Sequence, residues 1–341
     1  MRSLKSVLAL SLAFASTGAT PARKPQFIDW RNLKNPVLSY SNWSVKDAAM
    51  AYRERTFYLF FSAFYPDRGQ VRCHVVEIST LDFKHYSEPV FDFDGDEDGW
   101  LGMCSPDVQQ LNGKYVMTFN SWGHKPGKPD QLFYIVSDDL VHWSLRKPLA
   151  WNLTEVGDQR VIDAALAQAD GGYYLAYKEQ TPGTPKRPRM AFSRSLDGPF
   201  TYVRDGLPDL LMENGKDNGL LHENYEFVSI DSHWYMLTTD YLPQAPYLYR
   251  QEPDSHWLRW THGYAFAIPR ETFNTDKVAD ASSLCDWRKF DGYYYLIYAG
   301  RTEDQTYLGR GWNQIGLARS KDLIHWSVPG EGPPDSNASN R

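Results

Sequence analysis

One short pattern recurs five times along this chain, and its spacing constrains the fold more than any other feature. Each copy sets aromatic residues after a turn residue and follows them with Leu or Met among further apolar positions. The copies are Thr56-Phe-Tyr-Leu-Phe, Gly113-Lys-Tyr-Val-Met, Gly172-Tyr-Tyr-Leu-Ala, His233-Trp-Tyr-Met-Leu and Tyr293-Tyr-Tyr-Leu-Ile. Counted from Phe57, Tyr115, Tyr173, Trp234 and Tyr294, the steps are 58, 58, 61 and 60 residues. A second pattern keeps pace with the first: Asp82-Phe-Lys-His-Tyr86, Asp139-Leu-Val-His-Trp143, a degenerate Pro199-Phe200, His256-Trp257, and Asp322-Leu-Ile-His-Trp326, with steps of 57, 57, 57 and 69 between its aromatics. Self-similarity at a fixed period of this size marks a repeat architecture.

Within each unit the apolar runs are short and bounded by turn residues, as in Tyr173 to Tyr177 after Asp170-Gly171-Gly172, and no unit carries a long amphipathic helical stretch. A parallel α/β arrangement needs helical crossovers that the sequence lacks. Aromatics at 15%, with 24 Gly and 21 Pro, fit many strands and turns. The prediction is an all-β, five-bladed β-propeller with four-stranded antiparallel blades filling residues from about 40 to 330. Residues 21–335 would form this single domain, since 341 residues at 42% hydrophobic content fold without disulfide or metal staples. The histidines His85, His142, His256 and His325 recur with the repeat and are therefore assigned to blade packing rather than chemistry.

Arg2 and Lys5 precede the apolar run Val7 to Ala15, and small residues follow, which reads as a secretory signal peptide over residues 1–20. The mature protein is expected to be secreted and extracellular, with no membrane span and no membrane partner, acting as a monomer. A net charge of -6 argues against a nucleic-acid surface. Cys73, Cys104 and Cys285 match no metal spacing and allow at most one disulfide.

An acidic residue stands before several of the aromatic strands: Asp47, Asp107, Asp163 and Glu223, at 10, 8, 10 and 11 residues from the anchors. Asp47 to Asp163 is 116 residues, two repeats, and Asp163 to Glu223 is 60, one more. Such positions should meet at one mouth of the axial channel, where mutual repulsion and lost hydration raise a carboxyl pKa. Paired carboxyl groups are what glycosidic cleavage requires, one donating a proton to the leaving oxygen and the other activating water or attacking directly.

With these residues in these phases the chain resembles glycoside hydrolase family 43 and related five-bladed propeller glycosidases, as a divergent member. Ala48, Ala164 and Asn224 stand where the family often has Pro or Gly-Pro. The resemblance implies an inverting hydrolase of arabinofuranosyl or xylosyl type, with Asp47 as general base, Asp163 tuning and orienting the acid, and Glu223 as general acid. It implies a carbohydrate as substrate and partner. Alternatives are a retaining fructosidase-like enzyme, an anhydrogalactosidase-like enzyme with His222 as acid, and a carbohydrate-binding propeller without catalysis.

Secondary candidates for substrate contact are Asp107, Trp100, Trp122, His222 and Asp280. The two indoles could stack on sugar rings. In regular β only one of His222 and Glu223 reaches the axis. Asp280 and Ser282 lie where family members often place a fifth-blade His. No motif calls for a cofactor. The acidic run 92–99 puts Met103 rather than Glu at the twelfth position, which excludes an EF-hand and leaves an irregular calcium site as the alternative to a solvated loop.

Overall fold

The computed structural model describes residues 27–93, 99–123, 127, 129–155, 159–180, 186–217, 221–240, 244–302 and 313–330. The expected signal peptide and residues 94–98 of the acidic run lie outside them.

The chain is all-β. Its helical content among the described residues is confined to single turns at Trp30–Asn32, Trp151–Thr154 and Arg288–Asp291. Most neighbours within the sheets are antiparallel and follow chain order. Ser44–Arg53, Thr56–Asp67, Gln70–Thr80 and Phe91–Phe93 form one run, and Gly102–Leu111, Lys114–Trp122, Leu132–Ser137 and Lys147–Pro148 form the next. One parallel bridge, Cys73 to Gly102, joins these two runs into a single eight-stranded sheet. Val161–Ala169 to Thr201–Tyr202 make a four-stranded sheet, as do Lys277–Asp286 to Trp326–Ser327. Between them, His222–Ile230 to Arg259–Ala265 gain a fifth strand, Asp209–Met212, parallel to the last. That extra strand departs from the expected four. It comes from the connection ahead of His222, which pairs along an edge that would otherwise be open.

The leading strands touch in cyclic order: Ser44–Arg53 meets Gly102–Leu111, which meets Val161–Ala169, then His222–Ile230, then Lys277–Asp286, which returns to Ser44–Arg53. Apolar cores fill the spaces between successive sheets. Leu166, Leu175 and Tyr177 pack against Val116 and Tyr134 on one side. Ala165, Tyr174 and Met190 pack against Phe227, Met236 and Trp260 on the other. The repeated aromatic pattern is the second strand of each run. Its side chains alternate faces, so they supply both neighbouring cores at once. The ring is closed by the amino-terminal segment, whose Val37 and Leu38 amides donate to the Ile315 carbonyl at 2.8 and 3.2 Å.

Gly102 sits where the first two runs approach. A Cβ there would lie 1.6 Å from the Cys73 carbonyl oxygen, and its φ of +145° is hard for a residue with a side chain. Gly102→Ala should therefore destabilise the protein by about 1–3 kcal/mol, read as a lower urea midpoint with an unchanged m value.

The second pattern proves to be a turn device. Asp139 Oδ1 accepts the Val141 and His142 amides at 2.9 and 2.8 Å, and its Oδ2 pairs with His142 Nδ1 at 2.7 Å. The same bonds recur around Asp82 and Asp322. His85, His142 and His325, mostly exposed, brace these turns rather than pack between sheets as expected, and His256 is exposed as well. Cys73, Cys104 and Cys285 are buried and unpaired. Among the described residues no helix is long and apolar enough to cross a membrane.

Candidate active site

Every leading strand carries the same irregularity. Register slips by one residue between Lys46 and Ala49, Cys104 and Asp107, Ile162 and Ala165, Glu223 and Glu226, and Asp280 and Ser283. At these bulges Asp47, Ser105, Asp163, Asn224 and Ala281 adopt left-handed backbone, with φ of 54°, 56°, 59°, 53° and 45°. Asp and Asn tolerate that region better than other side chains do. A bulge re-aims side chains. Here it lets two consecutive residues face one hollow where a regular strand would turn the second away.

The hollow is a cavity of about 490 Å3 at one end of the ring. Lys46 with Asp47, Cys104 with Ser105, Ile162 with Asp163, and Glu223 with Asn224 line it as consecutive pairs, joined by Asp280, Asn120 and Trp122. The three acids singled out by spacing, Asp47, Asp163 and Glu223, thus converge. They are not equivalent as the spacing implied: the place matching Asp47 and Asp163 is held by Asn224, and Glu223 stands one residue earlier, matching Lys46 and Asp280.

Asn224 ties the acids together, its Nδ2 donating to Asp47 Oδ1 at 3.1 Å and its backbone amide to Asp163 Oδ2 at 3.3 Å. The Asp163 amide donates to Asn120 Oδ1 at 3.0 Å. Lys46 Nζ lies 3.4 Å from both Asp47 Oδ1 and Asp280 Oδ2. Glu223 Oε2 accepts from Lys178 Nζ at 2.5 Å, and that lysine is buried on the second strand of its sheet.

These contacts divide the carboxyls. Burial, reinforced by the charges of Glu223 and Asp47, pushes Asp163 up to about 6. Asp280 also rises, chiefly through burial, with Lys46 opposing. For Glu223, burial favours the neutral form, but Lys178, Lys46 and Lys186 outweigh it and hold the group below the ordinary range. The expected elevated carboxyl is therefore Asp163, and Glu223 at rest is an ionised partner of Lys178.

Secondary candidates separate by location. Trp122 and Asp280 line the cavity. Trp100 does not: its ring stands edge-on to Phe133 and its Nε1 donates to the Pro129 carbonyl at 3.3 Å, so it belongs to packing. His222 turns to the opposite face from Glu223, as strand alternation requires. There its Nε2 pairs with the Tyr249 hydroxyl at 3.2 Å, and burial lowers its pKa to about 4. Asp107 lies deeper. With Glu226, two places beyond the bulge like itself, it lines a gap of about 30 Å3 beneath the acids, where burial raises it to about 7. Among the described residues no cluster of His, Cys, Asp and Glu is arranged to hold a metal ion.

Sequence spacing held one unused signal. The bulge positions 47, 105, 163 and 224 each precede their aromatic anchor by ten residues, which would have named Ser105 and Asn224. Lys178 likewise sits five past Tyr173, where Ser62, Asn120 and Thr239 sit five past their own anchors.

No family model and no curated protein matches the chain in sequence. Solved structures match it in shape. A glycosyl hydrolase from Bacteroides ovatus is 15% identical, with 87% of this chain and 94% of that one covered at a TM-score of 0.61. A structure from glycoside hydrolase family 130, a family of mannoside phosphorylases containing hydrolases that target β-1,2 mannosidic linkages in Candida mannan, gives 14%, 88%, 96% and 0.63. A family 43 β-xylosidase/α-arabinofuranosidase from a compost microbial metagenome, in complex with xylotriose, gives 14%, 85%, 96% and 0.59. The fold is that of the glycosidase propellers. The resemblance read from Asp47, Asp163 and Glu223 agrees with this propeller architecture, and the cavity lies where its leading strands converge.

Proposed function

We propose that this chain is a five-bladed propeller glycoside hydrolase that cleaves a glycosidic bond within the cavity, with inversion at the anomeric carbon. The observation that carries the reading is the convergence of Asp47, Asp163 and Glu223 on one sugar-sized hollow. Five bulged leading strands in closed cyclic contact support the blade count. The resemblance to family 43 supports inversion.

In this mechanism Asp47 takes a proton from water as its oxygen bonds to the anomeric carbon, and the bond to the leaving oxygen breaks as that oxygen receives a proton from the Asp163–Glu223 pair. The Glu223 charge raises Asp163, so the two acids titrate as a pair. Below about pH 6 the proton sits on Asp163, because Lys178 holds Glu223 ionised. This reverses the roles that the resemblance assigns to the two residues: Glu223 becomes the charge that keeps Asp163 protonated.

The test is a panel of xylosides, arabinofuranosides, mannosides and uronides, with the released anomer followed by NMR. Binding without turnover would leave a lectin-like propeller, and retention would recast Asp47 as a nucleophile. Activity should fall as pH rises through about 6, since the donor loses its proton there. Glu223→Gln should move that fall to lower pH while keeping turnover within about tenfold, and adding Lys178→Met should return part of the shift, since Lys178 opposes Glu223 at Asp163. A loss of about 10²–10⁴-fold without such a shift would return the donor role to Glu223.

A further inference from the structure

The first two runs of strands meet along a seam that is pinned at several points. The Cys73 amide donates to the Leu101 carbonyl at 3.2 Å, beside the parallel bridge from Cys73 to Gly102. The Ser105 amide donates to Ser62 Oγ at 2.8 Å, and Trp122 Nε1 to the Val71 carbonyl at 3.1 Å. Cys73 stands on one side of this seam and Cys104 on the other, and with Phe64 they make one buried cluster. Their thiols interact directly. Cys285 lies in a different core, where its Sγ donates to the Met50 carbonyl at 3.6 Å.

Oxidation of the pair would disturb little. Cys104 Sγ accepts from Asn120 Nδ2 at 3.2 Å, and a disulfide sulfur keeps the lone pair that this bond uses. Cys73 would give up a weak 3.9 Å contact from its thiol to the His74 carbonyl. Asn120 also accepts the Asp163 amide, so fixing Cys104 steadies the cavity wall as well as the seam. Burial pushes the Cys73 thiol well up, which leaves little thiolate for exchange in the folded chain. The time for the bond to close is therefore during folding, as the two runs dock.

We propose that Cys73 and Cys104 form a disulfide that fastens the first run to the second when the chain folds in an oxidising compartment, with Cys285 left as a thiol. The oxidant is a small disulfide such as oxidised glutathione. One cysteine thiolate attacks it, forming a mixed disulfide and releasing one thiol. The other cysteine thiolate then attacks the protein sulfur of that mixed disulfide and releases the second. Two protons leave the cysteines and two are taken up by the released thiolates, while two electrons pass from the cysteines to the oxidant. For the test, the full chain is unfolded in urea with dithiothreitol and refolded by dilution into dithiothreitol or into mixed reduced and oxidised glutathione. Free thiols are then alkylated and counted by mass spectrometry. Three are expected with dithiothreitol and one with glutathione, and digestion should show the peptides of Cys73 and Cys104 joined. Because the cross-link restrains the unfolded chain, reducing it should lower the urea midpoint and raise the m value. Cys285→Ala should keep this pairing, and Cys104→Ser should leave every remaining thiol free. Three thiols in both preparations, a bridge that includes Cys285, or glutathione held on Cys73 or Cys104 with no bond between them would overturn the proposal. A bridged chain no more stable than the reduced one would overturn it too.

Discussion

Asp47→Asn lowers kcat by about 10²–10⁴-fold, the span expected for removing a general base, on whichever glycoside of the panel is cleaved, and leaves the fold intact. The fold holds because the residue occupies left-handed backbone at φ 54°, which Asn tolerates as well as Asp, and Asn224 already holds the matching place at φ 53°. An Asn at 47 can still offer its Oδ1 to the Asn224 amide and to Lys46, so the bulge keeps its contacts. What it cannot do is take a proton from water. Asp163→Asn should fall as far for the opposite reason, since the leaving oxygen is left without a donor. Kinetics beside an unfolding midpoint separate these losses from misfolding. A variant at 47 that keeps its rate within tenfold with an unchanged midpoint would remove Asp47 from the chemistry.

The fold was legible because aromatic positions 57, 115, 173, 234 and 294 mark the same strand each time. A strand that feeds two cores must alternate large apolar residues on both faces, and it cannot drift without losing both. The edge strand Asp209–Met212 was not legible, since a short parallel addition answers to an open edge rather than to a sequence period.

The site was legible in part. Asp47 and Asp163 were found in their true phase because a left-handed bulge accepts acidic residues. Glu223 lines the same cavity in another register: an offset of 11 from its anchor, where the bulge sits at 10, shows that it precedes the slip. Asp107, at an offset of 8, lies beyond the slip and so drops beneath the cavity. Lys178 could not be inferred from the acids alone. It comes from the adjacent strand, opposite Ile162, and reaches Glu223 across sheets. Pairing between sheets is set by how far the blades rotate about the axis, which no single strand encodes. The exposed histidines misled for a related reason. Repetition shows that a residue is structural, but turn and core repeat equally well.

Lys178→Met should cost about 3–5 kcal/mol at neutral pH, the penalty for removing one partner of a buried ion pair. Both groups are withdrawn from water, so the loss comes less from attraction forgone than from a Glu223 carboxylate left buried without its ammonium. The pH dependence follows from the direction of each shift. In the native protein Glu223 titrates below an ordinary Glu, so its contribution is present above the unfolded value and fades as pH falls through the folded one. In the variant burial acts with Lys178 gone, and the folded value rises. The variant then gains stability relative to the native protein as acid protonates Glu223, and the deficit is widest at neutral pH and narrows below it. Adding Glu223→Gln should recover most of the loss, because a neutral amide beside a thioether carries no buried charge. Urea unfolding of the native protein, the single variant and the double variant at neutral and acidic pH measures all three terms. A single variant as stable as the native protein at neutral pH would mean that water reaches Glu223 freely, and would remove the electrostatic reason for placing the resting proton on Asp163.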